Sequence, residues 1–195
     1  MDQGPNPRFG PDVRIDPGAF VHPSAQLYGA VEIAAGASIW PNVVVRAESL
    51  QVRIGARSNI QDFVMIHIGA GTGTIVGEDC SITHHVTLHG CRIGDRVLVG
   101  IGATVMDGCE IGDNSIVAGQ AFLKEGTVIP PNSIVMGAPA KVVRERDNAV
   151  ANALNAWMYA QNAAAYARGD HRLWSRDDFR AAAAAERQRL EMLYG

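Results

Sequence analysis

The sequence lacks long apolar runs, an excess of positive charge and the cysteine content of a disulfide-bonded domain. Its longest apolar runs, such as Ala181–Ala185, are far shorter than the ~20 residues that a membrane-spanning helix needs. A net charge of −3 and a pI near 6.0 argue against a nucleic-acid-binding surface. Met1–Gly10 contains no apolar segment of the secretory type, and the three cysteines are an odd number. We therefore expect a cytoplasmic protein with no nucleic-acid or membrane partner.

An aliphatic residue recurs at every sixth position through most of the chain. The uninterrupted part of this series is Ile93, Val99, Val105, Ile111, Val117, Leu123, Ile129 and Val135. Neither the period of a helix nor that of a strand explains this spacing, whereas hexapeptide repeats are typical of parallel β-helices. The sequence predicts a triangular β-helix over about residues 13–143. Each aliphatic residue should point inward and stack on its counterpart one coil away, at ~4.8 Å.

The end of the chain shows a different periodicity. Apolar residues at helical spacing predict a first helix over residues 144–168, which Gly169 would end. Ser175, with an acidic residue three places on, resembles the N-cap of a second, Ala-rich helix. We therefore predict a mainly β protein with a β-helix domain at residues 1–143. An α-helical extension at residues 144–195 should pack outside it.

Four of the six histidines lie between residues 67 and 89, and the repeat register predicts where they point. His67 and His89 each follow an inward residue on the third face of the prism, one coil apart. Both rings should therefore project outward from one column. Rings ~4.8 Å apart can share one ion at Zn–N distances of ~2.0–2.1 Å. Arg46 falls in the same column, one coil lower.

The register predicts His84 on the second face, one coil above Asp62 and beside Gln61. One chain therefore does not converge all three histidines on one ion. Packing identical prisms around a threefold axis would bring the second face of one chain against the third face of the next. We predict a homotrimer in which His84 of one chain joins His67 and His89 of its neighbour, with a fourth coordination position open.

The motifs at these positions resemble the γ-class carbonic anhydrase family, which belongs to the left-handed hexapeptide-repeat superfamily. The matching residues are Asn59-Ile60-Gln61-Asp62, His67, His84, His89-Gly90-Cys91, Ile93-Gly94-Asp95 and, more weakly, Gly137-Ala138-Pro139-Ala140-Lys141. The resemblance covers roughly residues 11–165 and implies a left-handed coil. It also implies Zn²⁺, with Fe²⁺ or Co²⁺ as alternatives, bound to His67, His84 and His89 across a trimer interface.

The reaction that this resemblance implies is the reversible hydration of CO₂ to bicarbonate. Three neutral imidazoles leave Zn²⁺ its full charge, which can lower the pKa of a bound water to about 7. The resulting hydroxide would attack CO₂. The resemblance implies that Gln61 orients the water. It implies that Arg46 pairs across the interface, with Asp62 as its partner, and helps to hold bicarbonate.

Three features depart from the family pattern. Glu48 stands where the family commonly has an aspartate, and His85 follows His84 where a glycine is usual. The loop at residues 68–74 contains no carboxylate, whereas the best-characterised active members carry acidic proton-shuttle residues there. His85 is a candidate to replace them, because histidine titrates near the working pH.

Two other functions fit the sequence. A CoA-dependent hexapeptide acyltransferase or thioesterase on the same fold would use an interface histidine, His84 or His85, as a general base. A second histidine in register with His67, together with Gln61, favours the metal centre, because a general base needs neither. The loop without carboxylates favours a catalytically weak metal-binding scaffold.

Overall fold

The computed structural model describes residues 9–195, which form a stack of short strands followed by helices. Residues 1–8 lie outside the described residues, and with them the start of the predicted β-helix domain and most of the segment for which we expect no secretory signal. The elements are β1 (Arg14–Ile15), β2 (Phe20–Val21), β3 (Gln26–Ile33), β4 (Ser38–Ile39), β5 (Val44–Ile54), β6 (Asn59–Ile60), β7 (Met65–His67), β8 (Thr74–Val76), β9 (Ser81–Ile82), β10 (Thr87–His89), β11 (Arg92–Ile93), β12 (Leu98–Val99), β13 (Thr104–Val105), β14 (Glu110–Ile111), β15 (Ile116–Val117), β16 (Phe122–Leu123), β17 (Val128–Ile129), β18 (Ser133–Gly137), β19 (Ala140–Glu145), α1 (Ala149–Tyr166), a 3₁₀ turn (Leu173–Ser175) and α2 (Asp177–Tyr194).

Strands from β1 to β18 pair in parallel with the strand one coil away, and together they form a solenoid of about seven turns. Three columns of inward residues define its faces. Face one carries Ile15, Ile33, Ile54, Val76, Ile93, Ile111 and Ile129; face two carries Val21, Ile39, Ile60, Ile82, Val99, Val117 and Val135; face three carries Leu27, Val45, Ile66, Leu88, Val105 and Leu123. The six-residue pattern thus confirms the predicted parallel β-helix.

The inward columns form the hydrophobic core. From Leu27 to Val135, no residue of the three columns is more than 4% exposed. Smaller residues such as Ala103 and Cys109 fill the space near the corners and are fully buried. Each buried aliphatic side chain contributes about 1.5–3 kcal/mol relative to an exposed one. The repeated core therefore provides a rigid support for side chains that point outward.

The chain turns between faces through residues with a left-handed backbone. At the corner between faces one and two these residues are Arg57, Asp79, Arg96, Asn114 and Asn132, with φ between 52° and 59°. Their side chains bond along the corner, as Arg57 does to Asp79 at 2.7 Å and Asn114 to Asn132 at 3.0 Å. A positive φ is uncommon for residues with a side chain. Asp79, Asn114 and Asn132 belong to the residue types that adopt this backbone most readily. Backbone hydrogen bonds to the neighbouring coil, such as Arg57 N–H to the carbonyl oxygen of Ala35 at 3.0 Å, hold it in place at all five positions.

The stack ends in an antiparallel hairpin of β18 and β19, in which Gly137 pairs with Ala140 and Ser133 with Glu145. The first helix was predicted over residues 144–168, but α1 begins only at Ala149. The reason is that residues 140–145 satisfy their backbone hydrogen bonds by pairing with β18. The helical spacing is therefore confirmed, and the predicted start is wrong by several residues.

Helix α1 packs along face two. Asn152 is 2% exposed and donates hydrogen bonds to the carbonyl oxygens of Arg96 and Ser115, at 2.8 and 3.1 Å. Helix α2 packs on α1 through contacts such as Leu154 with Leu190. These bonds and contacts place the helical extension outside the β-helix, against the face that carries His84.

Ser175 does not cap α2. Its hydroxyl donates to the carbonyl oxygen of Arg172 at 2.8 Å and closes the 3₁₀ turn. Arg176, in an extended conformation, precedes the first helical residue, Asp177. The predicted cap is therefore wrong, because the hydroxyl bonds backward in the chain rather than forward.

The three cysteines are free and buried, and burial raises the pKa of the Cys80 thiol to about 12. Neither helix of the described chain has the length and apolar character that crossing a membrane requires. The cytoplasmic location stays a prediction.

Replacing Ile93 by alanine should lower the free energy of unfolding by about 2–5 kcal/mol, because it leaves a cavity in a column that cannot collapse. Ile93 is 1% exposed on face one, away from the histidines. Arg92→Ala, at the adjacent outward position, should change stability by less than about 0.5 kcal/mol. Urea unfolding followed by circular dichroism measures both, and equal effects would contradict the assigned register.

Candidate metal centre

His67 and His89 lie side by side on face three. They are register partners in β7 and β10, as the column argument predicts. Their ring centroids are 5.0 Å apart, and Nδ1 of His67 lies 3.1 Å from Nε2 of His89. Two tetrahedral ligands at Zn–N distances of ~2.0–2.1 Å have their nitrogens ~3.3 Å apart. The two rings therefore have the spacing of two ligands of one ion.

A carboxylate contacts the other ring nitrogen of each histidine. Nε2 of His67 lies 3.1 Å from Glu48 Oε2, and Nδ1 of His89 lies 2.9 Å from Asp107 Oδ2. Because an ionised carboxylate only accepts hydrogen bonds, each ring carries a proton on the nitrogen that faces its carboxylate. In the neutral rings, two lone pairs then meet at 3.1 Å. A divalent metal ion placed between the rings would be bound by both of these lone pairs.

Arg46 extends this network to the coil below. Its guanidinium forms an ion pair with Glu48, and its Cα is the register partner of His67. Burial raises the pKa of Glu48, but a backbone hydrogen bond, His67 and Arg46 lower it, and the net shift is downward. The carboxylate is thus ionised at neutral pH, as an acceptor of the His67 N–H must be. The longer Glu48 keeps a salt bridge to Arg46, here within one chain.

His84 repeats the same arrangement on face two. Its Nδ1 lies 3.1 Å from Oδ2 of Asp62, the residue one coil below. The carboxylate lies beside Nδ1, which leaves Nε2 as the nitrogen directed away from Asp62. Metal-binding histidines in general are oriented by a carboxylate or carbonyl on the other nitrogen. All three predicted ligands have such a carboxylate partner, so the donor set fits a divalent metal ion such as Zn²⁺.

A single chain does not bring the three histidines together. Among residues 9–195, no three His, Cys, Asp or Glu side chains are placed to hold one ion. His67 and His89 are on face three, whereas His84 and Asp62 are on face two. The surface around the pair is an open depression of about 480 Å³, which a side chain from a second chain could enter. The three-histidine ligand set therefore stays a prediction that needs a neighbouring chain.

Gln61 is also on face two and is 2% exposed. Its amide nitrogen donates to Oδ1 of Asn59 at 2.8 Å, and Asn59 donates to Oγ of Ser81 at 2.9 Å. Ser81 in turn donates to Asn155 of α1 at 2.7 Å. This chain of hydrogen bonds fixes the orientation of the Gln61 amide. The predicted role of Gln61 toward a water stays a prediction.

A cavity of about 500 Å³ opens beside His84, between face two and the helical extension. Trp40, Asp62 and His84 line it from the β-helix, and Tyr159 lines it from α1. Burial raises the pKa of Tyr159, and the charge of Asp62 adds to the shift. The phenol therefore stays protonated at neutral pH and can donate a hydrogen bond into the cavity.

His85 is at the corner between faces two and three. Its ring stacks on Phe63, with centroids 5.0 Å apart and planes 3° apart. Both residues have a left-handed backbone, with φ of 60° and 62°, and Phe63 is 53% exposed. The ring of His85 is thus held against Phe63 at the surface. Its role as a proton shuttle stays a prediction.

Sequence reasoning missed Asp107, although the register contains a signal for it. Gly108 donates to the carbonyl oxygen of Gly90 at 2.8 Å, so the residue before Gly108 lies one coil from His89. Gly90 has a φ of 54°, and a Cβ there would come within 2.5 Å of Oδ1 of Asp107. The glycine therefore leaves the space through which the carboxylate reaches His89.

The chain is similar in sequence and fold to known hexapeptide-repeat proteins. The sequence model of the bacterial transferase hexapeptide family (six repeats) matches residues 90–125. Protein YrdA of Escherichia coli K12 is 42% identical over 108 residues, which are 52% of this chain and 55% of that protein. Gamma carbonic anhydrase 1, mitochondrial, of Arabidopsis thaliana is 39% identical over 99 residues, which are 48% of this chain and 36% of that protein. The chain thus spans about half, or less, of the length of these curated relatives.

A solved structure matches over a longer range. The hexapeptide transferase family protein from Anaplasma phagocytophilum is 30% identical and superposes with a TM-score of 0.72. The match covers 83% of this chain and 95% of that one. The β-helix and the family membership therefore rest on agreement over most of the chain.

Asp107→Asn should weaken metal binding by about 10–100-fold, because loss of a ligand's carboxylate partner lowers its basicity and frees its orientation. Glu110→Gln removes an exposed negative charge from β14, away from the histidines, and should leave the affinity unchanged. Titration with Co²⁺, followed by its visible absorption, measures both variants. Equal affinity of Asp107→Asn and the unchanged protein would show that the carboxylate does not support a ligand.

Proposed function

The chain belongs to the γ-carbonic-anhydrase-like hexapeptide-repeat family, and we propose that it is a metal-dependent enzyme that hydrates CO₂ reversibly to bicarbonate at a trimer interface. The observation that carries the proposal is the contact between Nδ1 of His67 and Nε2 of His89, at 3.1 Å. Glu48 and Asp107 fix the two protons on the opposite nitrogens. The two remaining ring nitrogens can therefore bind one cation. In the proposed trimer this cation would lie at the surface that faces the neighbouring chain.

The ligands in this proposal are His67 and His89 of one chain and His84 of the next. A bound Zn²⁺, Fe²⁺ or Co²⁺ would supply Lewis acidity, which lowers the pKa of a water to about 7 and provides a nucleophile for CO₂ at neutral pH. Imidazole suits all three metals, so the ligand set alone does not select one. Three neutral ligands also leave the positive charge of the ion uncompensated, which favours an anionic product such as bicarbonate.

Gln61 and Arg46 act on the reactants through their side-chain atoms. Because Nε2 of Gln61 donates to Asn59, its carbonyl oxygen Oε1 is the atom available to accept a hydrogen bond from a water. A water held in this way has its lone pair directed by the protein and loses no proton to the amide. The Arg46 guanidinium, about half exposed beside Glu48, is a donor for an oxygen of bicarbonate.

The proposal includes a closed homotrimer and a cytoplasmic location. The His84 end of face two, beside the helices, would meet face three of a neighbour around a threefold axis, so each of three interfaces would hold one site. Arg46 would then lie near Asp62 of the adjacent chain. Three free, buried cysteines support a reducing compartment.

Acyl transfer is the second candidate, because the solved relative is a hexapeptide transferase family protein. In that reaction a histidine would act as a general base on an acceptor or a water, and His84 beside Asp62 has a suitable partner. A general base leaves the paired His67 and His89 without a role. Removing the metal should leave acyl-transfer activity unchanged and should abolish CO₂ hydration.

Stopped-flow CO₂ hydration should be faster than the buffer rate in protein loaded with Zn²⁺, Fe²⁺ or Co²⁺. It should fall to the buffer rate in His89→Ala and after dialysis against a chelator. His22→Ala is the matched control, since His22 bonds to Ser24 in the first coils and should retain full activity. If every metal form hydrates CO₂ only at the buffer rate, the proposal is wrong, and acyl transfer or a metal-binding scaffold remains as the function.

Mixing two inactive chains tests the shared site directly. His84→Ala and His89→Ala should each be inactive alone, and co-expression should restore hydration and metal binding. An interface is intact when the His89→Ala chain supplies His84 and the His84→Ala chain supplies the pair, which random assortment gives at about one quarter of interfaces in a cyclic trimer. If co-expressed chains form trimers and yet stay inactive, the ligands do not come from two subunits.

A further inference from the structure

The cavity beside His84 is larger than CO₂ or bicarbonate requires. Its volume of about 500 Å³ falls within the ~300–1,000 Å³ typical of sites for small organic molecules. Its floor belongs to the β-helix, and the rest of its wall belongs to α1 and the segment that ends in the 3₁₀ turn. The helical extension therefore builds a concave surface next to a predicted metal ligand.

Aromatic rings form much of that wall, and they hold each other in place. Trp40 packs edge to face on Tyr166 and Tyr159, with centroids 4.9 and 5.6 Å apart. Tyr159 packs in the same way on Trp174, with centroids 5.3 Å apart. Trp174 is nevertheless 42% exposed, so part of its ring is available to a ligand. A preformed aromatic wall of this kind suits a flat apolar body.

The charged groups around the cavity are arranged unevenly. Asp62 is at the floor and is engaged by His84 at 3.1 Å. Arg172 is part of the lining contributed by the extension, and no carboxylate pairs with its guanidinium in the part of the chain that the structure describes. Asp170 is instead paired with Arg176 at 2.7 Å. An anionic ligand would therefore turn its charge toward Arg172 and away from Asp62.

We propose that this cavity binds a small aromatic carboxylate, with its ring against Tyr159 and Trp174 and its carboxylate on the Arg172 guanidinium. Arginine binds carboxylates through two parallel hydrogen bonds, which fixes the ligand in the plane of the guanidinium. The cavity shares His84 and Asp62 with the proposed metal site. The ligand's own contacts are Tyr159, Trp174 and Arg172, so its binding goes beyond the proposed function and does not require the metal.

Benzoate is the probe, titrated into the 195-residue chain after a chelator has removed any metal. Tryptophan fluorescence reports on the rings of the wall, and calorimetry gives the affinity. Benzamide lacks the charge and acetate lacks the ring, so both should bind at least about tenfold more weakly than benzoate. Arg172→Gln should weaken benzoate by about 10–100-fold. Arg168→Gln, an exposed arginine at the end of α1, should have no effect.

Trp174→Ala provides a second variant and should also weaken benzoate, while unchanged circular dichroism excludes unfolding as the cause. The proposal is overturned if benzoate does not bind, if benzamide binds equally well, or if Arg172→Gln binds like the unchanged protein. Benzoate binding without CO₂ hydration would contradict only the proposed function. Hydration without benzoate binding would contradict only this inference.

Discussion

The register between successive coils is the constraint on which the rest of the structure depends. In a parallel sheet a slip of one residue turns every inward side chain outward. The columns from Leu27 to Val135 stay buried only because the register is kept at every coil. Extra residues must therefore leave the coil as a loop, as residues 68–73 do between β7 and β8. After this loop, His89 again lies directly over His67.

The same register assembles the polar network on face three, with Gly90 leaving the space that the Asp107 carboxylate needs. Glu48 extends from the coil below, Asp107 from the coil above, and the two histidines lie between them. Each carboxylate selects a tautomer, and the two selections together direct both lone pairs to one point. The fold therefore places the two histidines, each with its carboxylate partner, where they could bind one cation together.

The outward columns could be predicted from the sequence because they depend only on counting six residues at a time. The pairing of His67 with His89 and of His84 with Asp62 follows from that count and is found. Features that depend on competition between helix and strand for the same residues could not be predicted by counting. Residues 140–145 have both helical and strand alternatives, and pairing with β18 decides between them. The cavity beside His84 depends on how α1 packs on face two, which no repeat in the sequence encodes.

On the proposed arrangement, metal binding and assembly are linked. A site that takes His84 from one chain and the histidine pair from another exists only in the trimer, so the ion binds the assembled state more tightly than the single chain. By mass action the metal then stabilises the trimer, and the trimer raises the affinity for the metal by the same factor. In the separate chain, the pair at 3.1 Å supplies only two ligands. Assembly favours metal binding because it supplies the third.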